Sequence, residues 1–298
     1  MSKKPLVHFV KHRNIDRARW DATVASDDAR LPYGFTWWLD VVTNERWDGL
    51  VLDDYRAVMP LPYTRKIGPL SQVSSPAFTQ QCGPWGDSTD TELALFLSSI
   101  PKTAIKVAIP LREASRIMGP VPGFTARERT NFVLDMAPGH ASLSRKFSKS
   151  LRRNLRRHPG GVMVPVTVEE VISVYAASAG EKAGLSKKHY EIMRNLARAC
   201  SAREMSIITG FEDDDGQLLA CGFFPHYRGR FINSFGSSTD LGYDRVGMSR
   251  LLDGLIKNQA GPGKLLDFEG SDLPGVAEYF NSFRPRRTAY QQLVRSAW

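Results

Sequence analysis

Cysteine is scarce in this chain: three in 298 residues, Cys82, Cys200 and Cys221, far apart and in no CxxC pair. That spacing excludes a disulfide framework and reads as buried free thiols of a reducing compartment. Histidine is scarce too, with six, and none stands at a metal-binding interval, since His8 and His12 are four apart but straddle a strand end. No apolar run approaches the roughly 18 residues of a membrane-crossing helix, and the opening MSKKPLVHFVKHRN has lysines without the apolar stretch of a signal peptide. The expectation is a cytoplasmic protein without stable membrane insertion. A P-loop, a dinucleotide glycine fingerprint and a Ser/His/Asp signature are all missing, so no permanently bound cofactor or metal is expected.

What the chain has is positive charge, unevenly spread. Forty Lys and Arg against 31 Asp and Glu give +9, and between residues 139 and 203 there are 13 cations against 4 acids. The remainder is close to neutral. The surplus centres on residues 143–158, LSRKFSKSLRRNLRRH. On a helix, Leu143, Phe147, Leu151, Asn154 and Leu155 fall on one side, and Arg145, Lys146, Lys149, Arg152, Arg153, Arg156 and Arg157 fill the other. Seven cations so spaced repel at i, i+3 and i+4. An anionic partner would offset that repulsion: nucleic-acid phosphates, a phosphorylated small molecule, or, least suited to so narrow an apolar stripe, a membrane surface.

Length allows two domains of about 150 residues. The first half reads as a strand at 5–10, helices at 15–26 and 35–43, a hairpin from 49–52 and 55–63 turning at Asp53 and Asp54, an irregular strand and loop at 71–85, a helix at 89–100, and strands at 104–110 and 131–136. Five of the six tryptophans precede residue 86, which calls for a large aromatic core in this half. After the basic helix, Pro159, Gly160 and Gly161 stop the pattern. Helices at 168–179 and 187–199 follow, then a meander at 205–211, 218–227 and 230–237, a helix at 248–259, a strand at 264–268, a helix at 274–283 and a strand at 288–294. The halves share an order of elements without sharing sequence. That suggests a duplicated mixed α/β domain with boundaries 1–138 and 161–298, joined by a basic linking helix at 139–160 beside a ligand cleft.

Within the second half, Asp244-Arg245-Val246-Gly247-Met248-Ser249 matches in part the Gln/Arg-x-x-Gly-x-Gly/Ala loop of GNAT acyltransferases. Gly247 and Ser249 fit a helix start that binds pyrophosphate through its free amides, whereas the Asp244 carboxylate does not. The wider series resembles the FemABX-type acyltransferases: Phe132 to Asp135, the helix 147–157, Gly236-Ser237-Ser238, Leu251-Leu252, and Asp267-Phe268-Glu269-Gly270-Ser271 before Gly275. The likeness is nearly complete over 130–293 and loose before that. It implies two tandem GNAT-like domains and transfer of an acyl or aminoacyl group to an amine acceptor from acyl-CoA or aminoacyl-tRNA. The family's Phe-Lys-x-x-Phe-Gly aligns with Tyr279 to Arg284, so Phe280 stands for the Lys and Arg284 for the Gly.

The residues expected to carry this chemistry follow. Asp267 and Glu269, two apart on a strand, should share a face, with Glu269 as proton acceptor; Arg284 and Tyr279 are further catalytic candidates. Arg152, Arg153, Arg156, Arg245, Gly247 and Ser249 would bind the donor, and Gln80, Gln81 and Asn233 the acceptor. The cation surplus tilts the donor toward aminoacyl-tRNA over acyl-CoA. A non-catalytic nucleic-acid-binding protein on the same scaffold is the rival, supported by Phe280.

Overall fold

The computed structural model describes residues 4–180, 184–270 and 274–296; Ser271 of the matching series lies outside them. The chain forms two compact units, residues 1–129 with 289–298, and residues 130–288. Each holds a mixed sheet flanked by helices, the α/β class expected. The expected boundaries are corrected: the first unit ends nine residues earlier than 138 and takes back the C-terminal strand, and the basic segment 139–160 belongs to the second unit instead of linking two. The reason is non-local. The last strand, Arg286–Ser296, pairs with 106–110 of the first unit, while Leu143, Phe147 and Leu151 are buried with Leu251, Phe268 and Phe283 of the second.

In the first unit, β1 (Val7–Val10) is followed by α1 (Arg17–Ser26) and α2 (Thr36–Thr43), then β2 (Trp47–Leu52), β3 (Ala57–Ile67), β4 (Leu70–Ser74), β5 (Trp85–Gly86), α3 (Asp90–Ser98) and β6 (Ala104–Pro110). β1 to β4 pair antiparallel in sequence order, and β6 joins β4 in parallel. Asp16 caps α1 by accepting the Arg19 N–H. Trp20, Trp38, Trp47 and Trp85 are fully buried and form core, while Trp37 is half-buried. All three cysteines are buried and free, and burial pushes their thiols up to about 12. Such thiols are inert.

Thr89 and Glu92 form a capping box on α3, and the buried Glu92 carboxylate also meets the Arg56 guanidinium. Arg56 above all, with Thr89, holds Glu92 down from 4.5 to about 2. A carboxyl depressed on folding adds stability above its unfolded value that is lost as pH falls through the folded one. Acid titration of unfolding is expected to show on the order of 2 kcal/mol of pH-dependent stability lost between those values, and Glu92→Gln to flatten that slope. An unchanged slope in the variant would remove Glu92 as its source.

The second unit starts within β7 (Thr125–Asp135) and continues through α4 (His140–Lys146), α5 (Lys149–Arg157), β8 (Val162–Pro165), α6 (Val168–Tyr175), a π turn (Ala176–Gly180), α7 (Lys187–Ser201), β9 (Ser206–Glu212), β10 (Leu218–Tyr227), β11 (Arg230–Ile232), β12 (Phe235–Ser238), α8 (Asp240–Asp244), α9 (Gly247–Gln259), β13 (Leu265–Asp267) and α10 (Pro274–Asn281). Its sheet runs β7-β13-β11-β10-β9-β8, with β12 also on β10. Only β11 and β13 of this set pair in parallel.

The single basic helix expected is two. Phe147 and Ser148 are extended, the Ser148 side chain accepts the Leu151 N–H at 3.1 Å to start α5, and the Ser148 N–H goes to the Ser282 carbonyl at 2.8 Å. The serine is an N-cap inside a helical pattern, and the turn after α10 supplies the acceptor that holds the break. The strand expected at 230–237 is likewise two, interrupted at Asn233 and Ser234.

Candidate functional site

β11 and β13 lie side by side through Ile232 and Asp267, and the Asn233 N–H makes a last bond to the Asp267 carbonyl at 2.8 Å. The chain after β11 then leaves for β12, which pairs with β10. Two parallel strands therefore part at their carboxyl ends, where open α/β sheets bind ligands. Ser234 and Glu269 emerge there, each two residues beyond the Ile232–Asp267 pair. The Ser234 hydroxyl oxygen is buried with no hydrogen-bond partner among the described residues. Glu269 is half-buried and has φ of 56°, left-handed backbone that side chains other than glycine rarely adopt and that clusters at functional sites. Next to it Gly270 has no room for more, since a Cβ would lie 1.7 Å from the Thr130 carbonyl oxygen.

Helices supply the facing side. Tyr175 ends α6 just before the π turn, a feature frequent at functional sites. Burial first, then the Tyr190 hydroxyl and the Glu269 carboxylate, push the Tyr175 phenol above its ordinary value. Tyr190, on α7, sets its hydroxyl where a Cβ on Gly180 would stand, 2.1 Å away. Ser234, Tyr175 and Tyr190 were not foreseen. Tyrosines in amphipathic helices and a serine inside an apparent strand carry no local signal of such convergence.

Asp267 does not share a face with Glu269. β13 ends at Asp267, and the turn of Glu269 into left-handed backbone cancels the strand alternation. Asp267 is fully buried; one oxygen takes the Arg230 Nε at 2.9 Å together with its terminal nitrogen, and the other takes the Glu269 N–H at 2.9 Å. A carboxylate so occupied orients the loop and is in no position to accept a substrate proton.

The basic segment flanks two cavities of the second unit. Leu151 is buried and Leu155 packs on the same core, which leaves Ser150 and Asn154 on one flank of α5, Arg152 and Arg156 on the other, and Lys149, Arg153 and Arg157 exposed. On the neutral flank, Ser150 and Asn154 join Ser249, Glu278, Tyr279 and Ser282 around a cavity of about 290 Å³. The Ser249 hydroxyl points at the Tyr279 hydroxyl, 3.5 Å away, and burial raises the Tyr279 phenol. On the cationic flank, Arg152 and Arg156 join Arg145 of α4 and Asp253 of α9 around a cavity of about 350 Å³. None of these three arginines makes a hydrogen bond or ion pair among the described residues, and the Arg152 Nε is buried. By contrast, Arg112 meets Asp27, Arg194 meets Glu169 and Arg230 meets Asp267.

Other expected residues have local employment. Arg245 pairs with Asp213, and Asp244 is exposed. Gly247 is required by packing, because a Cβ would sit 2.6 Å from the Leu219 carbonyl oxygen; the neighbouring Met248 N–H is taken by Ser238 at 3.1 Å. Phe280, where the family Lys was expected, is a core residue against Phe132 and Phe268, so its position could not present a cation to substrate. Arg284 is exposed on the turn after α10, with φ of 60°, the conformation that suits the glycine it replaces. Asn233 stands at the parting of the strands. Gln80 and Gln81 lie in the first unit; Gln81 is fully buried, accepting the Glu113 N–H and donating to Gln80. Among the described residues no group of three His, Cys, Asp or Glu could hold a metal ion, and no helix is long and apolar enough to cross a membrane.

No family model matches the sequence, and no curated protein matches it. Among solved structures, FemX superposes with a TM-score of 0.69 at 12% identity over 97% of this chain and 97% of its own. The fold is that of FemX. The same FemX-type fold is found in the C-terminal domain of a proposed lysylphosphatidylglycerol synthetase from Agrobacterium fabrum, with TM-score 0.55 and 10% identity over 94% of this chain and 91% of that one. It is found again in L-PGS from Bacillus licheniformis, with TM-score 0.54 and 12% identity over 95% and 92%. A mixed α/β chain of FemX type is thus what the motif series from Phe132 to Gly275 pointed to.

Proposed function

We propose that the protein is an acyltransferase that moves an aminoacyl group from aminoacyl-tRNA to an amine. The observation that carries this reading is the cluster of cations on α4 and α5, among which Arg145, Arg152 and Arg156 make no hydrogen bond or ion pair among the described residues, in a chain of FemX-type fold. A polyanion with regularly spaced phosphates satisfies such a surface better than an isolated charge does. The name of the Agrobacterium neighbour, which couples a lysyl group to a lipid, supports aminoacyl chemistry on this fold.

In the transfer, the acceptor nitrogen attacks the ester carbon, a C–N bond forms, and the bond to the ribose oxygen breaks. Glu269 takes the proton the amine must shed, directly or through one water. The Ser234 hydroxyl, buried and uncommitted, donates to the carbonyl oxygen as charge gathers on it. The departing ribose oxygen leaves as a hydroxyl, its proton returned from Glu269. Asp267 and Arg230 hold the Glu269 loop without taking part.

The test compares charged tRNA, uncharged tRNA and acetyl-CoA, with binding and transfer of a labelled aminoacyl group to an amine both measured. The expected result is transfer from charged tRNA. With Arg152, Arg153 and Arg156 changed to Glu, tRNA affinity is expected to fall about a hundredfold or more, with the salt slope flattened by about two to three. Stabilisation by acetyl-CoA with tRNA ignored would make the donor acyl-CoA. Equal binding of both tRNAs without transfer would leave a binding protein on a FemX-type scaffold.

A further inference from the structure

We infer that the cavity between α4, α5 and α9 is a built site for one phosphate group, with Arg152 as its specific ligand and Arg145 and Arg156 as flanking cations. The inference rests on the reading of a phosphorylated donor for its source, and on the side chains alone for its chemistry.

The first ground is an unmade bond. The Arg152 Nε is removed from solvent and has no acceptor among the described residues, although a buried donor left unpaired costs about 1–3 kcal/mol and more when charged. The second is convergence. The half-buried Arg152 and the exposed Arg145 and Arg156 line one cavity of about 350 Å³, and three like charges around it against the single carboxylate of Asp253 leave a positive surplus that an anion would offset. The third is that the protein has an acid in this wall and does not spend it on them. Asp253 instead receives the His140 Nε2 at 2.8 Å and pairs with none of the three arginines. An arginine that merely needed neutralising would take that carboxylate.

Geometry calls for a compact oxyanion, and three cations around one space favour a phosphate dianion over a singly charged carboxylate. A planar guanidinium that offers its Nε and a terminal nitrogen side by side matches two oxygens of one phosphate, and a lysine ammonium cannot reproduce that fork. Ser144, also in the lining, adds a hydroxyl donor. Lys149, Arg153 and Arg157, exposed on the outer face of the same helix, contribute charge without a cavity. The basic segment therefore has two functions: an outer field that attracts, and a pocket that seats a single phosphate.

The test is a charge-conserving pair of variants, Arg152→Lys in the cavity and Arg157→Lys on the outer face, titrated with inorganic phosphate, with adenosine monophosphate and with a short RNA lacking terminal phosphates. Ligand-induced thermal shift and calorimetry are the readouts. Arg152→Lys is expected to weaken binding about ten- to a hundredfold while unfolding without ligand at the wild-type temperature, and Arg157→Lys to bind as wild type. Asp253→Asn, by removing a like charge from the wall, is expected to tighten binding severalfold. Preference for the monophosphate identifies a terminal or monoester phosphate as the source; preference for the RNA identifies an internal phosphodiester. Equal binding by Arg152→Lys and wild type, or no binding of any of the three probes, overturns the site. Phosphate binding with no transfer from charged tRNA would sink the aminoacyl reading and leave the site standing; transfer with an indifferent Arg152→Lys would do the reverse.

Discussion

Replacing Asp267 by Ala is expected to cost roughly 3–5 kcal/mol, enough to unfold much of the second unit. The side chain is fully buried, and removing it takes from the Arg230 guanidinium, only 6% exposed, the carboxylate it meets between β11 and β13. It also frees the Glu269 N–H that the carboxylate holds at 2.9 Å. Denaturant midpoints measure the loss. Because the desolvation of both ions is what makes a single deletion expensive, the paired change Arg230→Met with Asp267→Leu should recover most of it. A folded Asp267→Ala of wild-type stability that had lost only transfer activity would return Asp267 to the chemistry.

Glu269→Gln should do the opposite: stability within about 1 kcal/mol of wild type, donor binding unchanged, and kcat/KM for aminoacyl transfer reduced about 10²- to 10⁴-fold. Glutamine keeps the size of the side chain and its place at the parting of the strands but cannot accept the proton of the attacking amine. Glu269→Gly is the sharper companion. It should be equally inactive yet more stable, by about 1 kcal/mol, because the left-handed backbone at 56° then carries no Cβ. That gain with loss of activity would mark the strain as serving function. Full transfer activity in Glu269→Gln would instead exclude proton transfer to this carboxylate.

The contrast between these two acids shows how far local pattern reached. Both were readable as a pair because they sit two apart next to a short apolar strand, and the period of two is a sound rule while the strand lasts. It lasts only to Asp267. What ends it is the partner on one side: β11 stops at Ile232, and past it only β7 still holds the chain, through the Phe268 N–H and the Phe132 carbonyl at 2.9 Å. In the same way the Gly247 of the half-kept GNAT loop was legible as important, but its reason, contact with the Leu219 carbonyl, lies on another strand. Phe280 was read as a lost cation; among Phe132, Phe268 and Tyr279 it is core packing that the aromatic character of the segment already favoured.

By itself the sequence determined most of what depends on neighbours in the chain. The strand Leu218–Tyr227 has its expected bounds, α9 differs by one residue, the thiols are buried, four of the five early tryptophans are core, and the positive surplus rides on an amphipathic helical segment. These follow from periodicity, capping chemistry and hydrophobicity, which act over a few residues. Tertiary structure alone decided that the last strand returns to the first unit, that the basic segment belongs to the second, that Arg230 finds Asp267 across 37 residues of chain, and that Arg145, Arg152 and Arg156 pair with no acid among the described residues. Strand pairing and charge compensation are settled between segments distant in sequence, so which carboxylate is occupied and which arginine is left open becomes visible only once the sheet has formed.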